Sequence, residues 1–269
     1  DRLLIPKSSQ ERYTQVSVNF AESPQIRHPL MVGGSVSLDL SETSMEGVRR
    51  ALRKALARIA EVPHHGECTD ELFMALWEGF QPLAEAADPG LAELIAKFPA
   101  DTRIPDHTIW DHLSAVSAMA GALPEPAFLV FSISPVQEFI RTARKTRDFW
   151  LGSYILSYLC WNAMEAVVEY CGPDAIVFPD LHHQPLFHAY LKRKLGQSST
   201  PIESVLKDSR KKLHIPSLPN RFLAVIPGNR AEDLIAATVE RAERALASRE
   251  TNGTAWLKAH VDPSDWDEA

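Results

Sequence analysis

Hydrophobic residues follow two different patterns along this chain, and the change between them divides it into two parts. Over residues 44–60 the apolar side chains recur three and four positions apart, with arginine and lysine between them. This spacing is typical of an amphipathic helix. The same spacing predicts helices over 69–87 and from 105 to about 123, with a short one over 91–98. We therefore expect the first part of the chain to be helical.

Beyond prolines at positions 124 and 126 the pattern becomes mixed. Short runs of β-branched and aromatic residues predict strands over 128–134, 175–178 and 221–226. Helical spacing predicts helices over 135–147, 151–170 and 230–248. The order strand, helix, strand, strand, helix makes up most of a ferredoxin-like unit, although no closing strand is recognisable. The sequence thus predicts an α+β fold.

Composition narrows the class of protein. The chain has 269 residues, of which 45% are hydrophobic and 23% charged, as expected for a soluble globular protein. Its formal charge of -7 argues against a protein whose whole surface binds nucleic acid. Any RNA contact must therefore be confined to a local region of the surface. No apolar run is long enough to span a membrane. Cys68, Cys160 and Cys171 have no metal-ligand spacing, which favours reduced thiols and a cytoplasmic location.

The first strand of the mixed part leads directly into a helix. Pro135 suits the first turn of that helix and Ser134 is placed to cap it. Backbone N–H groups at such a turn point towards any anion above the strand. Arg141, Arg144 and Lys145 share one face of the predicted helix and could hold a phosphate, or could pair with acidic groups of another subunit.

The segments around this turn resemble a known family. They are SPVQEFI at 134–140, ARKTRD at 143–148 and WLGSYILS at 150–157. Together they resemble the first palm domain of the large, polymerase-like subunit of type III-B CRISPR (Cmr) effector complexes. Further segments agree in order and spacing, namely 27–30, 72–77, 105–114, 173–181, 184–186 and 218–224.

The resemblance implies a domain organisation and a nucleotide site. Residues 1–123 would form an incomplete helical HD-like domain, residues 124–250 a ferredoxin-like palm (cyclase-type) domain with an inserted irregular segment, and residues 251–269 the start of a following segment. The palm would provide one wall of a nucleotide cleft. The residues that match the lining of this cleft are Ser134, Gln137, Arg141, Gly152, Ser153 and Tyr154.

For the whole subunit the resemblance implies synthesis of cyclic oligoadenylate from ATP with Mg²⁺ or Mn²⁺, and in many members cleavage of single-stranded DNA. Its expected partners are the other subunits of the complex, CRISPR guide RNA, target RNA and ATP, without a membrane. This chain has no Gly-Gly-Asp-Asp turn and no His-Asp dipeptide. We expect the chain to be a piece of a longer protein. The sequence leaves open whether that protein is an active enzyme.

Two groups of residues are candidate metal ligands. In the family, the Asp111–His112 pair belongs to the helix that carries the metal site, which makes both residues candidates here. The alternative is that Asp106 caps this helix and His112 is half-buried with a hydrogen-bond partner. A second group lies in the insert and comprises His182, His183, His188 and His214. Because no carboxylate or thiol stands at fixed spacing, we interpret these histidines as surface residues.

Two other functions remain as alternatives. A structural scaffold subunit that bridges the guide-RNA complex would bind no nucleotide. A free-standing HD phosphohydrolase agrees poorly with the missing His-Asp dyad.

Overall fold

The structure is a computed structural model that describes residues 24–27, 31–40, 45–62, 70–101, 106–141, 143–196, 201–206, 212–213 and 215–260. Helices and two small sheets make it an α+β protein, which confirms the predicted class. It forms two compact units, one of residues 1–57 and 81–113 and the other of residues 58–80 and 114–269. The boundaries predicted after 123 and 250 stay predictions. Residues 261–269 and Cys68 lie outside the described part.

The first unit contains a small hairpin of β1 (Gln25–Arg27) and β2 (Ser35–Ser37), which pair antiparallel. Most of α1 (Met45–Ile59) belongs to this unit. The predicted stripe of α1 is buried at its valine and alanine positions, which are Val48, Ala51 and Ala55. Apolar burial of this kind, and not helix propensity alone, stabilises a helix of this length.

Three further helices follow α1, namely α2 (Asp70–Ala87), α3 (Ala92–Ala96) and α4 (Ile109–Gly121). Within the first unit the indole N–H of Trp110 donates to the carbonyl of Ile95 at 2.7 Å, which ties the start of α4 to α3. The half-buried indole ring keeps its polar atom satisfied in this way.

The second unit contains a three-stranded sheet of β3 (Pro126–Ser132), β4 (Ile176–Phe178) and β5 (Arg221–Pro227). The strand order is β3-β5-β4, so the last of these three strands in sequence lies between the other two and is antiparallel to both. Leu129 stands opposite Ala224 in the register. The predicted strands are confirmed to within two residues at each end.

The two faces of this sheet differ because side chains alternate along a strand. Leu129 is buried, and Phe131 on the same face stacks against Phe222 with ring centroids 5.3 Å apart. Phe128 and Val130 lie on the other face and are 74% and 73% exposed. One face therefore forms the core of the unit, while the other carries exposed apolar side chains.

The helices of the second unit are α5 (Val136–Arg141), α6 (Thr146–Cys171), α7 (Pro185–Leu195), α8 (Glu203–Leu206) and α9 (Ala231–His260). The predicted helix over 135–147 was too long. Lys145 has an extended backbone, with φ -131° and ψ 157°, so α5 ends early and α6 begins at residue 146. The segment predicted to be irregular contains α7 and α8.

The core of the second unit is built around α6, which packs against α9 and β5. Its fully buried side chains include Cys160, Met164, Val167 and Val168. At the surface of this packing, Arg241 of α9 forms ion pairs with Glu165 and Glu169 of α6. Cys160 and Cys171 are both free thiols.

The chain leaves α6 through a turn that depends on glycine. Gly172 has φ +99° and ψ 164°, a conformation that other residues rarely adopt. Asp174 follows in a short 3₁₀ turn, and its carboxylate accepts a hydrogen bond from the Ser117 hydroxyl at 2.5 Å. Further along, the hydroxyl of Ser157 accepts a buried hydrogen bond from the N–H of Leu218 at 2.9 Å.

Candidate functional site

The turn between β3 and α5 places three of the predicted nucleotide-binding residues on the surface. Ser134 lies in the turn, while Gln137 and Arg141 lie one helical turn apart on α5, and all three are exposed. Glu138 in the first turn of α5 is also exposed. The side chains of Ser134, Gln137 and Arg141 are accessible to a ligand.

The other three predicted residues lie on α6 and are less accessible. Gly152 is buried, and a Cβ there would stand in ordinary van der Waals contact, 3.6 Å, with the ring of Phe139 on α5. The hydroxyl of Ser153 donates to the carbonyl of Phe149 at 3.1 Å. Tyr154 is 2% exposed and stacks on Trp150. The assignment of all six residues to a nucleotide site stays a prediction.

The basic residues near this turn do not share a helical face. Arg141 is the last residue of α5, whereas Arg144 and Lys145 lie between α5 and α6. The predicted cation stripe was wrong because it required a continuous helix over 135–147. All three side chains are nevertheless exposed.

The start of α4 is capped by Thr108, and not by Asp106 as the alternative interpretation held. The N–H of Asp111 donates to the Thr108 hydroxyl at 3.1 Å, and the Thr108 hydroxyl donates to the Asp111 carboxylate at 2.5 Å. The N–H of Thr108 also lies 3.3 Å from that carboxylate. This reciprocal arrangement is a capping box. The carboxylate of Asp111 thus has a structural role in capping α4.

His112 is exposed and lies beside a second histidine. Its Nδ1 is 3.4 Å from Nε2 of His107, while Nδ1 of His107 is 2.6 Å from the carboxylate of Asp106. The structure thus brings His112 together with His107 and Asp106. The assignment of Asp111 and His112 as metal ligands stays a prediction.

A cluster that the sequence did not predict lies between α2, the loop after β4, and α7. Glu78 of α2 is fully buried, and its Oε1 lies 2.6 Å from Nε2 of the buried His188. The same oxygen accepts the backbone N–H of His183 at 3.0 Å and lies 3.2 Å from Nδ1 of that residue. We call Glu78, His183 and His188 the Glu78 cluster.

The cluster holds an ionised carboxylate inside the protein. Burial opposes ionisation of Glu78, but the hydrogen bonds and charges of His183 and His188 outweigh it and hold the pKa of Glu78 below its ordinary value. A buried carboxylate is stable only with such compensation. The cluster therefore keeps a carboxylate in the interior beside two histidine rings.

A second histidine–carboxylate pair borders the cluster. Nδ1 of His182 lies 2.8 Å from the carboxylate of Asp180, and its ring stacks on Trp77 with centroids 3.6 Å apart. Burial opposes ionisation of Asp180, but His182 outweighs it and lowers the pKa of that carboxyl. The insert histidines were interpreted as surface residues, and for His182 and His188 this was wrong because both pack against α2.

Among the described residues, no helix is both long and apolar enough to cross a membrane.

Comparisons with known proteins agree with the predicted resemblance. Residues 128–252 match the family described as CRISPR-associated protein Cmr2, N-terminal. Over 152 residues the chain is 38% identical to the CRISPR system Cmr subunit Cmr2 of Pyrococcus furiosus, which covers 56% of this chain and 16% of that protein. The corresponding subunit of Saccharolobus solfataricus is 35% identical over 152 residues, with 48% and 14% covered. The chain thus spans about a sixth of these relatives.

Solved structures share the fold. The cryo-EM structure of type III-B Cmr-beta in the apo state matches with a TM-score of 0.63 and 23% identity over 91% of this chain and 26% of that chain. The structure of type III-B Cmr-beta bound to cognate target RNA matches with a TM-score of 0.64 and 23% identity over 93% and 28%. Together these matches support the assignment of this chain to an N-terminal part of the Cmr2 subunit of type III-B CRISPR complexes.

Proposed function

We propose that this chain supplies the helical HD-like domain and the first palm domain of a type III-B effector subunit. In this proposal the turn between β3 and α5 is one wall of a nucleotide cleft, and Ser134, Gln137 and Arg141 contact the ATP bound there. The observation that carries the proposal is the β3-β5-β4 strand order, within the segment that matches the Cmr2 family.

The strand order supports a palm-type domain for a topological reason. In a ferredoxin-like unit the third strand inserts antiparallel between the first two, which is called a split βαβ arrangement. Here β5 has that position between β3 and β4, α6 lies between β3 and β4 in sequence, and α9 follows β5. These elements correspond to the first five of the six elements of that unit.

The proposed role of this part is binding and not metal catalysis of nucleotidyl transfer. Two-metal transfer requires paired carboxylates, and the sequence contains no Asp-Asp pair. In our proposal those carboxylates come from another part of the subunit, which makes cyclic oligoadenylate from ATP with Mg²⁺ or Mn²⁺. Asp111 and His112 are proposed ligands of a divalent metal in the HD-like domain.

The proposed partners are the other subunits of the complex, guide RNA and target RNA in the cytoplasm. One of the similar structures is that of Cmr-beta bound to cognate target RNA, which supports a role in an RNA-guided complex. The exposed cations Arg141, Arg144 and Lys145 suit a phosphate group of ATP or RNA.

A second candidate is a scaffold that binds no nucleotide. Two observations favour it, namely the 2% exposure of Tyr154 and the hydrogen bond of Ser153 to its own helix. Both residues serve the packing of α6 in this case, and the cleft wall would have no ligand.

ATP binding by the intact subunit in the assembled complex separates the two candidates. We expect ATP with Mn²⁺ to bind, and Gln137→Ala or Ser134→Ala to weaken binding roughly tenfold each through loss of a polar contact. Arg244→Ala is the control, because this exposed arginine of α9 pairs only locally with Glu240 among the contacts described. Absence of ATP binding, or variants that bind as well as the control, would support the scaffold.

A further inference from the structure

We propose that the Glu78 cluster binds a divalent first-row transition metal ion, with zinc the preferred ion. Its three candidate ligand atoms, one from each of Glu78, His183 and His188, all lie within 4.8 Å of one another. His183 and His188 lie within the segment that matches the family, but neither the resemblance nor the proposed nucleotide cleft assigns a ligand to the three residues of the cluster. The proposal is therefore independent of the proposed function.

The distances within the cluster suit a metal of this size. Zinc holds imidazole nitrogen and carboxylate oxygen at about 2.0–2.2 Å, so two ligands of a tetrahedral ion stand about 3.3 Å apart. Oε1 of Glu78 and Nδ1 of His183 are already 3.2 Å apart. The 2.6 Å contact between Glu78 and His188 needs to open by less than 1 Å. The third separation, between the ring nitrogens of His183 and His188, is at most 4.8 Å and needs to close by no more than about 1.5 Å.

The carboxylate offers an oxygen that the protein leaves unused. Oε2 of Glu78 is buried and has no hydrogen-bond partner in the described part of the chain, whereas Oε1 has three polar neighbours. An unsatisfied buried carboxylate oxygen is costly. A cation bound among Glu78, His183 and His188 would interact with this oxygen, which gives the second, independent indication of a ligand.

The backbone around His183 is held in an uncommon conformation. His183 has φ +61°, in the left-handed region that few residues other than glycine adopt, at a cost of about 1–3 kcal/mol. In this conformation its N–H donates to Glu78 while its ring lies beside the same carboxylate. The ligands are thus positioned before a metal arrives.

The chemistry of the ligands selects the ion. Two imidazoles and one carboxylate favour zinc and its neighbours, while Mg²⁺ prefers oxygen ligands and its own water shell. Three protein ligands leave one tetrahedral position for water. The ion would link α2 to the loop after β4 and to α7, which lie 105 and 110 residues away in the sequence. Its role is to fix these three elements together.

His182 is a suitable control because it is adjacent in sequence but engaged elsewhere. Its Nδ1 lies beside Asp180 and its Nε2 is 3.2 Å from the carbonyl of Trp77. Removing its ring changes the local histidine content without removing a proposed ligand.

The test measures zinc bound to the intact subunit. Wild type, His183→Ala, Glu78→Gln and His182→Ala are loaded with Zn²⁺, dialysed against metal-free buffer, and analysed for metal per chain. We expect His183→Ala and Glu78→Gln to lose about one equivalent relative to wild type, and His182→Ala to lose none. Equal metal content in all four proteins, or equal loss in His182→Ala, would overturn the proposal.

A second measurement guards against misfolding of the Glu78 variant. The side chain of His183 is 60% exposed, so His183→Ala is expected to keep its fold, which circular dichroism checks. Replacing zinc with Co²⁺ adds a visible absorption band for each tetrahedral site that binds the ion. The difference spectrum between wild type and a folded His183→Ala is expected to contain a tetrahedral band with nitrogen and oxygen ligands. A featureless difference spectrum would contradict the site.

Discussion

Oε1 of Glu78 lies 2.6 Å from Nε2 of His188, and this contact joins two fully or almost fully buried residues that are 110 positions apart. In such a pair each partner depends on the other, because an uncompensated charge in the interior is far more costly than one at the surface. The contact between α2 and α7 is therefore sensitive to the loss of either partner.

Replacing Glu78 with alanine is expected to destabilise the protein strongly. Breaking a buried ion pair by removing one partner costs about 3–5 kcal/mol. The measurement is urea unfolding in the presence of a chelator. Glu93→Ala is the control, since Glu93 forms an exposed pair with Lys97 and its loss should cost less than about 1 kcal/mol. Similar losses in both variants would contradict the buried-pair account.

Two glycines with positive φ angles allow the cost of backbone strain to be measured separately from the cost of a steric clash. Gly172 and Gly196 both have positive φ, at +99° and +60°. A Cβ at Gly172 would stand 2.6 Å from Oδ1 of Asp174 and 3.1 Å from the ring of Phe73, whereas one at Gly196 would contact nothing within 4 Å.

We therefore expect Gly196→Ala to cost about 1–3 kcal/mol from backbone strain. Gly172→Ala should cost more, by at least about 1 kcal/mol, because it adds overpacking to the same strain. Thermal unfolding of both variants measures the difference. Equal melting temperatures would mean that the turn after α6 adjusts to the added methyl group.

Asp174 should make stability depend on pH. Burial raises the pKa of its carboxyl, and the hydrogen bond from Ser117 opposes only part of this. The folded state therefore keeps this proton at pH values where the unfolded chain has lost it, so stability falls as pH rises from the ordinary pKa through the raised one.

Asp174→Asn removes this effect. Urea unfolding at several pH values from about 4 to about 7 should show wild type losing stability relative to the variant as pH rises. A constant difference between the two proteins would show that the carboxyl of Asp174 titrates alike in the folded and unfolded states.

Two serines of α6 offer a test of the segment before β5. The Ser157 hydroxyl is buried and accepts the N–H of Leu218, so Ser157→Ala leaves this donor unsatisfied. We expect a loss of about 1–3 kcal/mol in chemical unfolding. Ser153→Ala removes only a hydrogen bond to the preceding turn and should be nearly neutral. The opposite ranking would rule out an anchoring role for Ser157.

The sequence predicted the strands well because their burial is encoded locally. Runs of β-branched and aromatic residues mark β3 and β5, and their register follows from alternation, with Leu129 and Phe131 on the covered face. The end of α5 was missed for the opposite reason. Arg144 and Lys145 have high helix propensity, and no glycine or proline marks the interruption. Tertiary packing decides the conformation there.

The Glu78 cluster was missed because its members are far apart in the sequence. Glu78 resembles any polar position of an amphipathic helix, and its burial follows only from the contact with residues 183 and 188. The available signal was the density of histidine over 182–188, without a carboxylate at regular spacing. The alternative interpretation, in which Asp106 caps α4, is wrong because Thr108 and Asp111 form a capping box two residues later.

The position of β5 has a consequence for synthesis on the ribosome. Its seven residues are translated last among the strands of the sheet, yet both neighbours depend on them for hydrogen bonds. The backbone hydrogen-bonding groups of β3 therefore lack their β5 partners until nearly a hundred further residues have been translated. During that interval α6 can already form, because the hydrogen bonds of a helix are local. The nascent chain therefore acquires the 26-residue helix α6 before it acquires any sheet in this unit.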